Sequence, residues 1–274
     1  MGPAGADTIT GTMDDTPTWL NDLLARADQP PLVLRERLWL QATDAVIGSI
    51  EPLLARHMAE ADLPIRPRAG GWQVDGPGDA ALAVIARWLH ERELSGAWRN
   101  ELLAVPNEHG ERQALIERAA VRPLGITTVA VHLVGYTGDG RVWVQQRAFD
   151  KATDPGQWDT LSGGLLSVNE TVASALHRET WEEAGLEVAA LRQVRPLGRQ
   201  LVRRPLDELG YMVEQMEMFE AEIPDGLEPD NQDGEVEGFD CVPARQLVES
   251  LQAGVFTLEA ALVHVHWLRR HKFL

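Results

Sequence analysis

Apolar residues recur along this chain with two periods, and the switches between them mark out its elements. Helical spacing predicts helices over residues 17–27, 49–61 (with Ser49 as cap), 79–93, 243–252 and 258–271; Leu82, Ile85, Ala86 and Leu89 form the apolar stripe of the third. Alternation and short apolar runs predict strands over 37–43, 72–74, 101–106, 113–119, 126–136, 141–146, 158–161, 188–202, 210–223 and 235–242. Turns are expected at 107–110 and at Gly138-Asp139-Gly140. The pattern changes around Pro123, so we expect a small α/β module over 16–122 and a larger α/β (α+β) unit over 123–274. Residues 1–15 are small, polar and acidic and are expected to be disordered, with Met13 as an alternative start. No internal repeat is visible.

One stretch, GLLSVNETVASALHRETWEEAGL over 164–186, combines patterning with chemistry. Asn169 is expected to cap a helix whose first-turn acid is Glu170 and which Gly185 stops. At 100° per residue, Val172, Ala173, Leu176, Thr180 and Ala184 form an apolar stripe, with Glu179, Glu182 and Glu183 on the adjoining face. Three carboxylates that close repel one another, so the helix gains from a cation. Hard oxygen ligands at such spacing suit Mg²⁺ or Mn²⁺. The bland reading is a solvated acidic face.

Composition narrows the function classes. At 274 residues and 44% hydrophobic, the chain has enough apolar material for two cores. No apolar run reaches a membrane span and the N-terminus lacks the basic and apolar parts of a signal peptide, so a cytoplasmic protein without membrane contact is expected. The single cysteine, Cys241, excludes internal disulfides and cysteine-based metal cages. A net charge of −17 argues against nucleic acid as a partner. An anionic substrate must therefore meet a local basic pocket. Only two of the 25 basic residues are lysines, which draws attention to Lys151 just before the acidic helix; Arg147 joins it as a candidate for gripping terminal phosphates. His132 reads as a core histidine bonded to backbone. His264, His266 and His271 resemble a metal cluster by composition, but the dipole of a terminal helix explains them more simply.

The fixed points Gly164, Glu170, Arg178-Glu179, Glu182-Glu183 and Gly185-Leu186 have the spacing of the Nudix box, and the chain resembles the Nudix hydrolase family. The resemblance implies an α/β/α sandwich with a mixed sheet, preceded by a smaller α/β domain. It implies metal-dependent hydrolysis of a small-molecule organic diphosphate by attack of water on a P–O–P bridge. Glu179, Glu182 and Glu183 would hold Mg²⁺ or Mn²⁺, with help from Glu170 and the carbonyl of Gly164. Arg178 would pair with a box carboxylate a turn away, not with its neighbour Glu179. The general base would be a box glutamate, Glu182 or Glu183, or the loop residue Glu235. The strings RPLGITTVAVHLVGY, WVQQRAFDKATDPGQWDTLSGG and FEAEIPDGLEPDNQDGEVEGF are similar to the subfamily related to the Nudix module fused to fungal thiamine pyrophosphokinase, with its preceding domain of unknown function. That similarity implies thiamine diphosphate or its oxidised forms as substrate, and Trp158, Tyr211 and Trp98 are candidates to stack on a flat head group. The alternatives are a nucleoside diphosphate derivative such as ADP-ribose or a dinucleotide, an isopentenyl diphosphate isomerase, and a non-catalytic binding module. The isomerase is disfavoured because no Cys precedes 241, the binding module because all three box glutamates are intact. Arg195, Arg199 and Arg203 share one strand face, solvated or at an interface, which leaves a homodimer open.

Overall fold

A computed structural model describes residues 17–206 and 210–274, so the expectation of disorder over 1–15 lies outside the described residues. The chain runs α1 (Thr18–Ala27), β1 (Glu36–Leu40), β2 (Ala45–Ile50), α2 (Pro52–Glu60), β3 (Ile65–Arg68), β4 (Gly71–Val74), α3 (Gly78–Glu91), β5 (Leu102–Pro106) and β6 (Arg112–Glu117). It continues through β7 (Thr127–Tyr136), β8 (Arg141–Arg147), β9 (Trp158–Asp159), β10 (Ser162–Leu165), α4 (Val172–Ala184), β11 (Arg192–Leu206), β12 (Gly210–Glu222), β13 (Val236–Pro243), α5 (Ala244–Gln252) and α6 (Leu258–Arg270).

The first part is a four-stranded sheet, ordered β2-β1-β4-β3, with the separate hairpin β5–β6. Leu38, Leu40, Ile50 and Val74 from the sheet pack with Met58 of α2, the predicted stripe of α3, and Leu103, Val105, Ala114 and Ile116 of the hairpin. Each fully buried Leu, Ile, Val or Met among them stabilises the fold by about 1.5–3 kcal/mol. Ser49 does not cap a helix: it lies in β2, where its N–H donates to the Leu124 carbonyl at 2.9 Å. The helix starts instead at Pro52, a residue with no N–H to leave unpaired in a first turn.

The second part is a mixed seven-stranded sheet: β11-β12-β7-β8-β13 form a path, β10 pairs with β7 and β9 with β8. Strands β7 and β8 share only two register pairs, Gly135↔Trp143 and Tyr136↔Val142, next to their turn. Beyond that they separate, and β9 and β10 fill the gap, which delivers Gly163 and Gly164 to the middle of the sheet. Period-two alternation sends Leu133 to one face, with Leu176, Ala184, Ala221 and Ile223, and Val134 to the other, with Met216, Met218, Leu262 and Val265. Helix α4 covers the first face and α6 the second. This is the α/β/α sandwich with a mixed sheet. No helix among the described residues is long and apolar enough to cross a membrane.

Several expectations are corrected here. Leu20, Leu23 and Ala27 of α1 belong to the α6-side core of the second sheet, so this helix is not part of the small α/β core although it precedes it in the chain. The strand expected from 188 begins at Arg192, after a 3₁₀ turn at Val188–Ala190. Thr171, not Asn169, caps α4: its hydroxyl accepts from the Ser174 N–H at 3.1 Å and the Ser174 hydroxyl accepts from the Thr171 N–H at 2.8 Å. Gly185 does end the helix, in the left-handed region at φ 62°. The stripe is also rotated: Ala173 is exposed, while Ala175, Leu176, Glu179, Thr180, Glu183 and Ala184 are buried. Thr180 is held by its hydroxyl, which donates to the Leu176 carbonyl at 2.6 Å.

Loss of the reciprocal cap should cost about 1 kcal/mol. Thr171→Ala should therefore lower Tm in a thermal melt while Asn169→Ala leaves it unchanged; the reverse ranking would refute the assignment.

Candidate active site

Helix α4 turns two carboxylates inward because the sheet below offers partners for them. Glu183, 2% exposed, accepts from the Gly163 N–H at 2.8 Å and the Gln145 amide at 2.9 Å, both on one oxygen, Oε2. Its other oxygen lies 3.8 Å from the Lys151 ammonium. Glu179 lies against Gly164, where a Cβ would run into its carboxylate, so this position admits only glycine without displacement.

Arg178 gathers the remaining acids. It donates to Glu170 through Nε at 2.6 Å and Nη2 at 2.8 Å, to Glu179 at 2.7 Å and Glu182 at 2.9 Å through Nη1, and to the Leu165 carbonyl at 3.0 Å. The partner a turn away is thus present in Glu182. The exclusion of Glu179 is corrected: the arginine arm is long enough to curl back to its neighbour. Glu170 hydrogen bonds raise the guanidinium pKa above its ordinary value, and Arg178 in turn holds Glu170 below the usual carboxylate range. Burial acts the other way on the inner pair: it raises Glu179 to about 7 against the pull of Arg178, and Glu183 to about 8 against the pull of Lys151.

The loop before β13 completes the site. Backbone N–H groups of Asp230 and Gln232 donate to the carbonyls of Ala184 and Glu182, so this loop is fastened to the end of α4. Glu235, at the end of the same segment, is ion-paired to Lys151. Burial opposes its ionisation, but the Lys151 contact outweighs that and holds its pKa below the ordinary value. Lys151 therefore stands between Glu183 and Glu235, the two carboxylates of the site that Arg178 does not bond.

Other candidates are placed differently. Arg147 directs its guanidinium at Asp159 (3.2 Å) and the carbonyls of Thr153 and Asp154 (3.0 and 3.2 Å), where it braces the 148–157 loop. Trp158 is half-buried against the α6-side core. The Tyr211 hydroxyl donates to the Gln29 carbonyl at 2.7 Å and its ring lies under Arg35, at the seam with the N-terminal segment. Trp98 pairs with His90 and bonds Asn100. Arg195, Arg199 and Arg203 are taken by Glu220, Glu217 and Asp28. His132 is buried as expected, yet among the described residues neither ring nitrogen has a hydrogen-bond partner, which corrects the expected backbone bond. His266 contacts Gln200 and His271 contacts Glu220; His264 is fully buried. Sequence reasoning passed over Gln145, a polar residue at a buried strand position, and Phe149, which is 64% exposed with its ring against Gly156 in the loop that carries Lys151.

The chemistry of the donors suits a hard divalent cation, although among the described residues no three of them already converge as a metal site, Arg178 being bonded to Glu179 and Glu182. All the side-chain donors are carboxylates, and burial alone would leave two of them largely protonated near neutral pH, a state that a cation beside them reverses. Glu179, Glu182 and Glu183 would hold such an ion.

A Nudix domain family model matches residues 126–262. Nudix hydrolase 20, chloroplastic, of Arabidopsis thaliana is 30% identical over 199 residues, which cover 71% of this chain and 53% of the relative. Nudix hydrolase 24, chloroplastic, of the same plant is 29% identical over 282 residues, covering 98% of this chain and 75% of the relative. The chain thus spans about half the length of one relative and three quarters of the other. The crystal structure of DR0079 from Deinococcus radiodurans has a TM-score of 0.50 at 25% identity, over 61% of this chain and 99% of that one.

A carboxyl whose folded pKa exceeds its unfolded one contributes stability that is full below the unfolded value and lost as pH rises through the folded one. His264 and His266, lowered to about 4 by burial, act oppositely, and their gain is complete above their ordinary 6.5. Between pH 6.5 and 8 the carboxyls prevail. In chelator, Tm should fall across that window, Glu183→Gln should flatten the fall, and Mg²⁺ should raise Tm more at pH 8 than at 6.5. An equal Mg²⁺ effect at both would count against the buried pair as ligands.

Proposed function

The chain belongs to the Nudix family, and from that premise we propose that it is a divalent-metal-dependent pyrophosphohydrolase of a small organic diphosphate, with thiamine diphosphate or an oxidised analogue as substrate. The observation that carries the hydrolase reading is the inward-facing pair Glu179 and Glu183 beside Glu182, with Arg178 bonded to Glu179 and Glu182 and Lys151 next to Glu183. A bound Mg²⁺ or Mn²⁺ supplies charge neutralisation of the phosphoryl oxygens as the bridge breaks.

The chain's own groups do the rest. Water adds to one phosphorus as the bond from that phosphorus to the bridging oxygen breaks, so that thiamine diphosphate and water yield thiamine monophosphate and phosphate. Glu235, held ionised by Lys151, takes a proton from the water once the Lys151 ammonium exchanges it for a terminal phosphate oxygen. Gln145 and the Gly163 N–H keep one oxygen of Glu183 engaged, which leaves the other toward the cation position. Gly164 allows Glu179 its close approach. The similarity of the 122–136, 143–164 and 219–239 strings to the thiamine-linked subfamily supports the head group; the box serves an ADP-ribose-type substrate equally well.

Phosphate and product assays over thiamine diphosphate, its oxidised forms, ADP-ribose and NADH are the test. Thiamine compounds should turn over fastest. A large preference for ADP-ribose or NADH would remove the substrate assignment and keep the hydrolase, whereas no turnover with any diphosphate would remove both. Glu183→Gln should lower kcat about a hundredfold or more, and an unchanged kcat would contradict its role.

A further inference from the structure

The hairpin β5–β6 belongs to the N-terminal part of the chain, yet its edge touches the loop that leads into α4. Val168 N–H donates to the Leu102 carbonyl at 3.1 Å, and beside that main-chain link the Ser167 hydroxyl donates to Glu101 Oε1 at 3.0 Å. The other oxygen of Glu101 is paired with Arg118 at 2.8 Å, so the carboxylate is fixed from both sides. The Ser167 N–H in turn donates to Glu170 Oε2 at 2.9 Å. Glu170 is the double acceptor of Arg178, which bonds Glu179 and Glu182. A continuous set of polar contacts thus runs Arg118, Glu101, Ser167, Glu170, Arg178, and ends on two of the carboxylates assigned to the cation.

We infer that Glu101, from the N-terminal part, is a positioning residue of the active centre, and that the hairpin β5–β6 sets the geometry of the 166–170 loop and, through Glu170 and Arg178, of the metal-binding carboxylates. The inference rests on the metal reading above. Carboxylates that orient metal ligands through an intermediate typically change affinity 10- to 100-fold when lost. Arg178 bonds Glu179 and Glu182 through Nη1 alone while Glu170 takes Nε and Nη2; without Glu170 held in place those further donors are released to turn onto Glu179 and Glu182 and compete more strongly with the cation for them. A hairpin on a separate core is a rigid support for that choice. Glu101 itself is partly exposed, and its ion pair with Arg118 adds little to global stability. A loss of metal affinity without a matching loss of Tm is therefore the signature.

The test is Mn²⁺ binding to the full chain, followed by the electron paramagnetic resonance of free Mn²⁺, together with Tm and the kcat and KM of the substrate found above. Glu101→Ala should weaken Mn²⁺ binding about tenfold and lower kcat more than it raises KM, with Tm nearly unchanged. Glu101→Gln keeps an acceptor for Ser167 and should restore most of the affinity. Ser167→Ala, which removes one hydroxyl and leaves the Val168–Leu102 link, should match Glu101→Ala, and the double variant should be no weaker than either alone. Affinity within twofold of the parent in both single variants, or additive losses in the double, would overturn the inference. A parent chain that binds no Mn²⁺ would remove the metal reading itself, and the inference with it.

Discussion

A single guanidinium holds the acidic helix in its working form. Arg178 spans Glu170, Glu179 and Glu182 and the carbonyl of Leu165, so the loop before α4 and two turns of the helix are tied at one point. Without it, three carboxylates around one helix face would repel one another, and Glu170 would have no reason to fold back over the helix start. With it, the positive charge is shared by three acids and fully neutralises none. The deficit of positive charge that remains would favour a small, highly charged cation at the proposed site. Glu183, outside the reach of Arg178, is kept in place by neutral donors, Gln145 and the Gly163 N–H.

The sheet is shaped to make that arrangement possible. Because β7 and β8 part after two register pairs, a gap opens beneath α4, and the strands that fill it bring glycines where the helix approaches. Gly164 lets Glu179 descend onto the strand, and Gly163 offers its N–H to Glu183. The loop from β12 to β13 then closes the C-terminal end of α4, so that Glu235 arrives beside Lys151. Fold and chemistry therefore share the same atoms: one backbone N–H, that of Gly163 in a strand that fills the gap, and one side-chain amide, that of Gln145, hold the buried carboxylate.

Much of this was legible in the sequence, and the remainder was hidden for identifiable reasons. Long periodic segments such as α3, with Leu82, Ile85, Ala86 and Leu89 all buried, show their period and their face directly. The acidic triad was visible because helix geometry alone brings Glu179, Glu182 and Glu183 together. Its orientation was not, since Ala173 and Ala175 carry nearly equal apolar weight and the choice between them is made by donors on distant strands. Two capping residues lie two positions apart, and only the reciprocal bond from Ser174 decides for Thr171. Ser49 looked like a helix cap, but the pull of the Leu124 carbonyl across the seam keeps it in a strand. The destination of α1 was equally hidden, because an amphipathic helix announces an apolar face and not the core that receives it. Tyr211 and Trp158 are aromatic in the right stretches of sequence, yet the seam and the α6-side core claim them.

If the box carboxylates are the metal ligands, they surround a divalent cation when the ion is bound. Anomalous scattering from crystals of the full chain soaked in Mn²⁺, measured at the manganese edge, tests this most directly. The expected result is a peak bounded by Glu179, Glu182 and Glu183, lost in Glu183→Gln crystals of unchanged fold. A peak only elsewhere, or none with Arg178 still closed on all three of its acids, would contradict that ligand assignment.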